Sequence, residues 1–347
     1  MAASPAQTIL TCKADFAELA LREVRQALPG AQLYGELSEG IVLLTAPFSE
    51  LAAFWRAKPP IFVRHICPAA VRVTLPPLDD GKRLLILLQN ACVEAVLPHV
   101  RPDVPFSVQT RVFSPAAPLK PFDVNIALSE LVTNAPLDVR QPQQVISVVI
   151  GLLDGALVAW LGCSTVADNL SSWSGGARRF AHDQARISRS EFKLLEALEV
   201  FGAQVPAHGH ALDLGAAPGG WTHVLRELGM YITAVDPAAL DPRLLGDSGI
   251  RYRRSTAEAF LPTATDAYDV IVNDMRMDAR DSARLMCAYR RLLKGDGIAL
   301  MTLKLPRSGR LSALESAFRI LESTYTIAGA RQLFHNRSEI TAYLRPH

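Results

Sequence analysis

The stretch His210-Ala-Leu-Asp213-Leu-Gly215-Ala-Ala-Pro218-Gly219-Gly220-Trp221-Thr-His-Val-Leu225 decides the fold class of this chain. A short apolar run ends at Asp213 and Leu214, a glycine turn follows, and an amphipathic run begins at Trp221, which reads as strand, turn, helix. Glycines in such a turn let backbone approach a ligand closely at a helix N-terminus, where unsatisfied N–H groups collect. The next strand, YITAVD, ends in Asp236, 21 residues after Gly215. An acid at that place is the one expected to bind the ribose diol of a nucleoside cofactor. The glycine spacing is not GxGxxG, which disfavours NAD. A packing turn followed by a chance acid is the plainer reading, and it accounts for less of the surrounding pattern.

Working outward, strand and helix alternate from Ser188 onward, the signature of a parallel doubly wound sheet. The helix SRSEFKLLEALEVF opens with Ser188-x-x-Glu191, a candidate capping box. Leu194, Leu195, Leu198 and Phe201 form its apolar face, with Lys193 on the flank. AYDVIVND ends in Asp274, and GIALMTLKLP carries Lys304 at its end. TYTIAGARQLF and EITAYL close the chain as an expected antiparallel pair.

The N-terminal half reads differently. TILTCKADF, a helix from Phe16 to Leu28 and GIVLLTA give strand, helix, strand, followed by a helix over SELAAFWRA. FVRHICPAAVRVTL, a helix from Lys82 to Leu97, FSVQTRVF and a helix from Asp123 to Val132 repeat the rhythm. The apolar stretch Val145–Val166 is broken by Asp154-Gly155, so two strands joined by a tight turn explain it better than a membrane span. Helices segregated against short strands fit an α+β arrangement.

Composition narrows the possibilities. The chain has 347 residues, enough for two domains or three, and a formal net charge of +2. No global field announces a nucleic-acid partner, so any basic surface must be local. The cysteines (Cys12, Cys67, Cys92, Cys163 and Cys287) are scattered and never in a CxxC pair, which argues against a disulfide framework or zinc knuckle. MAASPAQTIL has neither a basic n-region nor a long apolar run, so no signal peptide is read and a soluble protein of a reducing compartment is expected. Residues 170–190 form a polar connector in which Trp173 and Phe180 interleave with Arg178, Arg179, Arg186 and Arg189, against the single acid Asp183. Guanidinium groups pair with phosphates and aromatic rings stack on unpaired bases, so the connector suits RNA as well as it suits a solvated linker. Its SGGARR lacks the Asp and Ser of the SGGxDS pyrophosphate loop.

DLGAAPGGWT resembles motif I of S-adenosyl-L-methionine-dependent methyltransferases of the FtsJ type, which modify ribose 2'-hydroxyls in RNA. SRSEFKLLEA, NDMRMD, TLKLP and ARQLFHNRSEIT agree in order, and together they resemble the bacterial large-subunit (23S) ribosomal RNA cytidine 2'-O-methyltransferases of the RlmM type. The resemblance implies a Rossmann-like catalytic domain over 188–347 behind an α+β half: a ferredoxin-like region over 1–60, a THUMP-like RNA-binding domain over 61–168 and a basic linker over 169–187. It further implies S-adenosyl-L-methionine as cofactor, ribosomal RNA as partner and bacterial cytoplasm as location. The histidines offer no metal spacing and the apolar stretches no membrane span, so neither a metal nor a membrane is expected; the oligomeric state is open, with a monomer favoured. The family's lysine–aspartate–lysine–glutamate tetrad carries over to Lys193, Asp274, Lys304 and Glu339. Asp274 and Lys304 also end parallel strands, so both belong on the rim that holds Gly215 and Asp236. Glu339 reaches that rim if the last strand is antiparallel, whereas Lys193 is placed there by the resemblance alone. The expected cofactor contacts are Asp213, Gly215, Ala216, Pro218, Gly219, Gly220, Trp221, Asp236 and Asp274. The expected RNA contacts are Trp173, Arg178, Arg179, Arg307, Arg331 and Arg337, with Arg310 nearby.

These residue types suit the reaction. A 2'-hydroxyl is a poor nucleophile at neutral pH and gains from a base as its oxygen attacks the methyl group. A lysine serves only when neutral, which burial and a second ammonium both favour. Lys304 is the expected base and Lys193 the neighbouring cation, with Asp274 and Glu339 orienting both amines. Exocyclic-amine methyltransferases carry Asn/Asp-Pro-Pro-Tyr/Phe where this chain reads Asn273-Asp274-Met275-Arg276. Enzymes acting on pyrimidine C5 need a cysteine nucleophile, and Cys287 falls in an expected helix. RYRRSTAEAF lacks the strand-end Asp that would contact adenine, leaving Glu258 or backbone groups for that part. A non-catalytic RNA-binding or assembly factor that kept the fold, and a small-molecule methyltransferase, are the competing readings.

Overall fold

A computed structural model describes residues 7–77, 80–181 and 185–347. Asp183 of the connector and the first six residues of the chain lie outside them. The chain divides into a unit ending at Ala177 and a unit beginning at Arg178.

The first unit holds two four-stranded sheets. In the first sheet, β1 (Thr8–Cys12), α1 (Ala17–Ala27), β2 (Gln32–Ser38), β3 (Ile41–Thr45), α2 (Phe48–Ala57) and β4 (Val63–Pro68) follow a βαββαβ path with strand order β2-β3-β1-β4, every pair antiparallel. This is the ferredoxin-like connection. Two features depart from the sequence reading. The edge strand β2, QLYGELS, is mostly exposed and so shows no apolar alternation to mark it. The first sheet also runs past the expected boundary at residue 60, because β4 pairs with β1 from Thr8↔Pro68 onward. The single run FVRHICPAAVRVTL therefore splits at Ala69-Ala70 between two sheets.

The second sheet takes β5 (Val71–Thr74), α3 (Gly81–Ala95), β6 (Phe106–Val112), α4 (Pro121–Ser129), β7 (Gln144–Leu153) and β8 (Ala156–Thr165) in the order β5-β8-β7-β6. Between β7 and β8, Asp154 and Gly155 both have positive φ (51° and 78°), as a two-residue hairpin turn matching the strand twist requires. Among the described residues no helix is long and apolar enough to cross a membrane. One face of this sheet packs on Leu84, Leu88 and Cys92 of α3 and Val124 and Leu128 of α4. Its other face shares a core with the first sheet, where Ile9, Leu43 and Cys67 meet Val149, Val158 and Trp160.

The second unit is an α/β sandwich. After α5 (Glu191–Phe201) come β9 (His210–Leu214), α6 (Gly220–Glu227), β10 (Tyr231–Val235), α7 (Pro242–Leu245), β11 (Ile250–Arg253), α8 (Ala257–Phe260), β12 (Tyr268–Asn273), α9 (Ala279–Tyr289), β13 (Leu293–Lys304), α10 (Arg310–Leu321), β14 (Tyr325–Arg331) and β15 (Glu339–Pro346). They build a seven-stranded sheet of order β11-β10-β9-β12-β13-β15-β14. Strands β9 to β13 are parallel and β15 is antiparallel to both its neighbours. The central strands are almost wholly buried, as strands covered on both faces must be. The strand order reverses between β9 and β12, so a crevice opens at their carboxyl ends, where such sheets bind ligands. The expected capping box at α5 forms by half. Glu191 accepts the backbone N–H of Ser188 at 3.1 Å, but the Ser188 hydroxyl pairs with that of Ser190 instead of the helix backbone.

Candidate active site

Every group expected on the crevice rim comes from the end of an element. Gly215 follows β9, Asp236 follows β10, Asp274 follows β12, Lys304 ends β13 and Glu339 begins β15. Antiparallel pairing sets Glu339 directly across from Lys304, and this register explains how the last strand delivers an acid to the rim. Lys193 arrives from the first turn of α5.

The four side chains meet in one network. Lys193 Nζ lies 2.7 Å from Glu339 Oε1 and 3.2 Å from Asp274 Oδ2. Lys304 Nζ lies 2.6 Å from Asp274 Oδ1 and 3.9 Å from Glu339 Oε1. Two lysines thus share two carboxylates, and the four titrate as a coupled set. Burial, the largest influence, and the Lys193 ammonium hold Lys304 below the ordinary lysine value, against the pull of Asp274 and Glu339. At Lys193 burial again opposes the charge, but Asp274 and Glu339 together outweigh it and hold that ammonium above its ordinary value. Glu339 is buried and Asp274 half-buried, which would raise them, yet the two lysines keep both below the usual carboxylate range. The cluster therefore has a polarity: Lys304 is the amine that loses its proton more readily.

A fifth residue, Thr302, belongs to this network and was not expected. Its hydroxyl donates to Asp274 Oδ1 at 2.6 Å and accepts from Lys304 Nζ at 2.9 Å. The signal was available, since residues two apart on a strand share a face. Glu196 was missed as well. Buried on α5 one turn beyond Lys193, it accepts the backbone N–H groups of Phe334 at 2.8 Å and His335 at 2.9 Å, and so tethers the turn that leads to Glu339. His335 stands beside Phe180 and Phe192 and donates from Nε2 to the Arg178 carbonyl at 2.8 Å.

The glycine turn lies at the start of α6. Gly215 and Gly219 have φ of +74° and +119°, and a Cβ on either would collide with Met275 or Leu244. Asp236 accepts the backbone N–H of Ala217 at 3.0 Å through one oxygen and that of Ala238 at 2.7 Å through the other. Two expected ligand contacts instead lie beneath the turn. Asp213, 2% exposed, receives a 2.7 Å hydrogen bond from the Thr222 hydroxyl, and burial pushes its carboxyl up to about 7. Trp221, 3% exposed, packs in the core and donates its indole N–H to the Ser190 carbonyl at 2.8 Å. Both shape the turn from below. Glu258 is exposed in the first turn of α8.

The expected RNA-contacting residues divide. Arg179, Arg307 and Arg337 are exposed. Arg178 is half-buried, paired with Glu199 at 2.8 Å and held 4.1 Å over the Phe180 ring. Arg331, the last residue of the edge strand β14, is 9% exposed, and this corrects its expected place on a basic surface around the cleft. Trp173 is half-buried in the first unit. Cys287 sits on α9 with its thiol donating to the Ile320 carbonyl at 3.3 Å, away from the crevice groups. Among the described residues, Glu191, His223 and Glu227 have ligand-type atoms within 4.8 Å of one another. Arg186 bonds there to Glu191 at 2.9 Å and to Glu227 at 3.1 Å.

Residues 186–300 match the FtsJ-like methyltransferase family. Among curated relatives, the ribosomal RNA large subunit methyltransferase M of Halorhodospira halophila is 39% identical over 50% of this chain and 51% of its own length. The protein of the same name from Pseudoalteromonas atlantica is 31% identical over 55% of this chain and 57% of its own length. The chain thus spans about half the length of the curated relatives it matches. A solved structure, TrmN from Thermus thermophilus, aligns over 99% of this chain and 100% of its own at 19% identity, with a TM-score of 0.40.

Proposed function

We propose that this chain is an S-adenosyl-L-methionine-dependent RNA methyltransferase acting on a ribose 2'-hydroxyl, with a cytidine of large-subunit ribosomal RNA as its target and the bacterial cytoplasm as its place of work. The observation that carries the reading is the convergence of Lys193, Asp274, Lys304 and Glu339 at the crevice, beside the glycine turn and Asp236. Lysines and carboxylates in one half-buried network suit the removal of a hydroxyl proton.

The residues at the turn fit a nucleoside cofactor. The positive φ of Gly215 and Gly219 keeps backbone open to close approach. Each Asp236 oxygen accepts one backbone N–H and retains a lone pair for a ribose hydroxyl. Gly215, Ala216, Pro218, Gly219 and Asp236 would hold the cofactor, with Gly220 opening the helix behind them. When bound, S-adenosyl-L-methionine supplies a methyl group on a cationic sulfur. Lys304 Nζ takes the proton of the 2'-hydroxyl as that oxygen becomes the nucleophile. Asp274 fixes Lys304, and the Lys193 ammonium, anchored by Glu339, disfavours a second positive charge beside it. Alignment of the reacting atoms by the rim contributes the larger share of the rate gain. Arg179, Arg307 and Arg337 are the phosphate-facing candidates, and residues 61–168 of the first unit serve as a THUMP-like RNA-binding module behind the ferredoxin-like region.

The test is transfer of labelled methyl from S-adenosyl-L-methionine to ribosomal RNA from cells lacking the protein, with the label located by nuclease digestion and mass analysis. Label on a cytidine ribose is the expected result. Lys304→Ala should lower kcat by about 10²- to 10⁴-fold while still binding cofactor. Label on a base would overturn the ribose assignment, and RNA binding without transfer would favour a non-catalytic factor.

A further inference from the structure

Thr302 occupies a wholly buried position on β13, with its side chain on the same face as that of Lys304. Its hydroxyl has one hydrogen and accepts through its lone pairs. The hydrogen points to Asp274 Oδ1 at 2.6 Å, because an ionised carboxylate only accepts. What Thr302 turns toward Lys304, 2.9 Å away, is therefore a lone pair, and Lys304 must meet it with an N–H. A second N–H of Lys304 goes to Asp274 Oδ1 at 2.6 Å.

A neutral amine carries two N–H bonds and one lone pair. With one N–H directed to Thr302 and the other to Asp274, through two bent hydrogen bonds, rotation about the Cε–Nζ bond is restrained and the lone pair has one favoured direction. In the ammonium form the third hydrogen occupies that direction. Without the Thr302 hydroxyl, one N–H has no assigned acceptor, and the amine can turn among orientations of which only one faces the substrate.

We propose that Thr302 is a positioning residue for proton transfer: it takes one N–H of Lys304 so that the lone pair of the neutral amine is fixed on the substrate hydroxyl. This rests on the assignment of Lys304 as proton acceptor. In the step itself, the Lys304 lone pair forms the new N–H bond, the O–H bond of the ribose breaks and its electron pair stays on the oxygen, which would form the O–CH3 bond as the methyl–sulfur bond of the donor broke and sulfur kept that pair as a neutral thioether. The charged groups facing Lys304 are Lys193 from α5, Asp274 after β12 and Glu339 from β15. Asp278, bridged to Lys304 through the backbone, has its carboxylate committed to Arg280.

Thr302→Val keeps a β-branched side chain in the strand and removes only the hydroxyl. It should lower kcat by about ten- to a hundredfold, a loss typical of a misdirected reacting group, with KM for RNA within about twofold of wild type. The loss should persist on the alkaline plateau of the pH–rate profile, where Lys304 is already neutral. Thr302→Ser should recover most of it. Cofactor binding by calorimetry and the melting temperature, read on the same proteins, separate positioning from misfolding. An unchanged kcat in Thr302→Val would overturn the proposal. So would full recovery at alkaline pH, which would mean that Thr302 sets the protonation of Lys304 and not its direction. If Lys304→Ala, run in parallel, retained wild-type transfer, the base assignment itself would fall. The three results are distinct.

Discussion

At the scale of single residues, Asp213 shows how burial and charge trade against each other beneath the glycine turn. Its carboxyl is nearly inaccessible, receives one hydroxyl hydrogen bond from Thr222, and is pushed up to about 7 chiefly by burial. In the unfolded chain the same group has its ordinary value of 3.8. A group whose folded value is raised contributes stability fully below its unfolded value and loses it as pH rises toward the folded one. Asp213 should therefore weaken the fold progressively between about pH 4 and pH 7. Asp213→Asn keeps an oxygen to accept from Thr222 and carries no charge. Its unfolding free energy, compared with wild type by denaturation across that window, should rise relative to wild type as pH increases, by roughly 2–4 kcal/mol in total. A difference that stays constant with pH would show Asp213 to be ordinary in the folded state. The tetrad acids act with the opposite sign, since Asp274 and Glu339 are held low and their contribution is lost only in acid. Asp274 and Lys304 were readable because strand ends in a parallel sheet share one rim. Lys193 was not readable from pattern, because nothing in a helix flank says which crevice it faces. Thr302 hid for another reason: a threonine in a buried strand is what strand propensity alone predicts. Arg331 misled because the sequence does not reveal whether the residue closing a strand faces solvent.

Elements carry the site through their ends. The turn between β9 and α6 holds Gly219 at φ +119°, a region open to glycine and strained for any side chain, and a Cβ there would also meet Leu244. Gly219→Ala should cost about 1–3 kcal/mol of stability and weaken cofactor binding, both measurable by calorimetry. Helix α5 grips the β14–β15 turn twice, through Lys193 to Glu339 and through Glu196 to the backbone of Phe334 and His335. Glu196→Ala should speed amide exchange at residues 333–336 and cost about 1–3 kcal/mol, the penalty of orphaned donors. Unchanged exchange at those amides would refute the tether. The main helices and strands of the second unit were legible because each interior strand is a continuous apolar run bounded by turn residues. In the first unit the edge strand β2 was not, as it buries too little to show a period. The run through β4 and β5 read as one piece because the two sheets meet at Ala69-Ala70 without any polar break in the sequence. The first miss comes from shallow burial; the second comes from pairing partners distant in sequence, β4 with β1 and β5 with β8, which local pattern does not encode.

For the whole molecule, near-neutrality conceals a division of charge. Residues 178–347 carry 23 Lys and Arg against 19 Asp and Glu, whereas residues 1–177 carry 13 against 15. If the chain acts on ribosomal RNA as proposed, the salt-dependent part of binding belongs mainly to the second unit, and the first contributes recognition with little field of its own. The second unit also has its own core, built on Leu194, Trp221, Val224, Val270 and Leu300, which gives it the means to fold alone. Removal of residues 1–177 should thus leave a folded protein that binds S-adenosyl-L-methionine as the full chain does. It should bind RNA with a similar salt slope but lower affinity, and lose transfer to ribosomal RNA. In the full chain, Arg307→Ala and Arg337→Ala should each weaken RNA binding evenly across sequences and reduce the salt slope by about one. Transfer to ribosomal RNA by the truncated protein at the full chain's rate would deny the first unit its recognition role. Full activity of the truncated protein on a small acceptor would go further and replace RNA as the substrate class. A salt-independent RNA affinity would exclude the arginines as phosphate contacts while leaving the chemistry of the tetrad intact. Charge and chemistry are separable here because the exposed arginines and the half-buried lysines take part in different interactions.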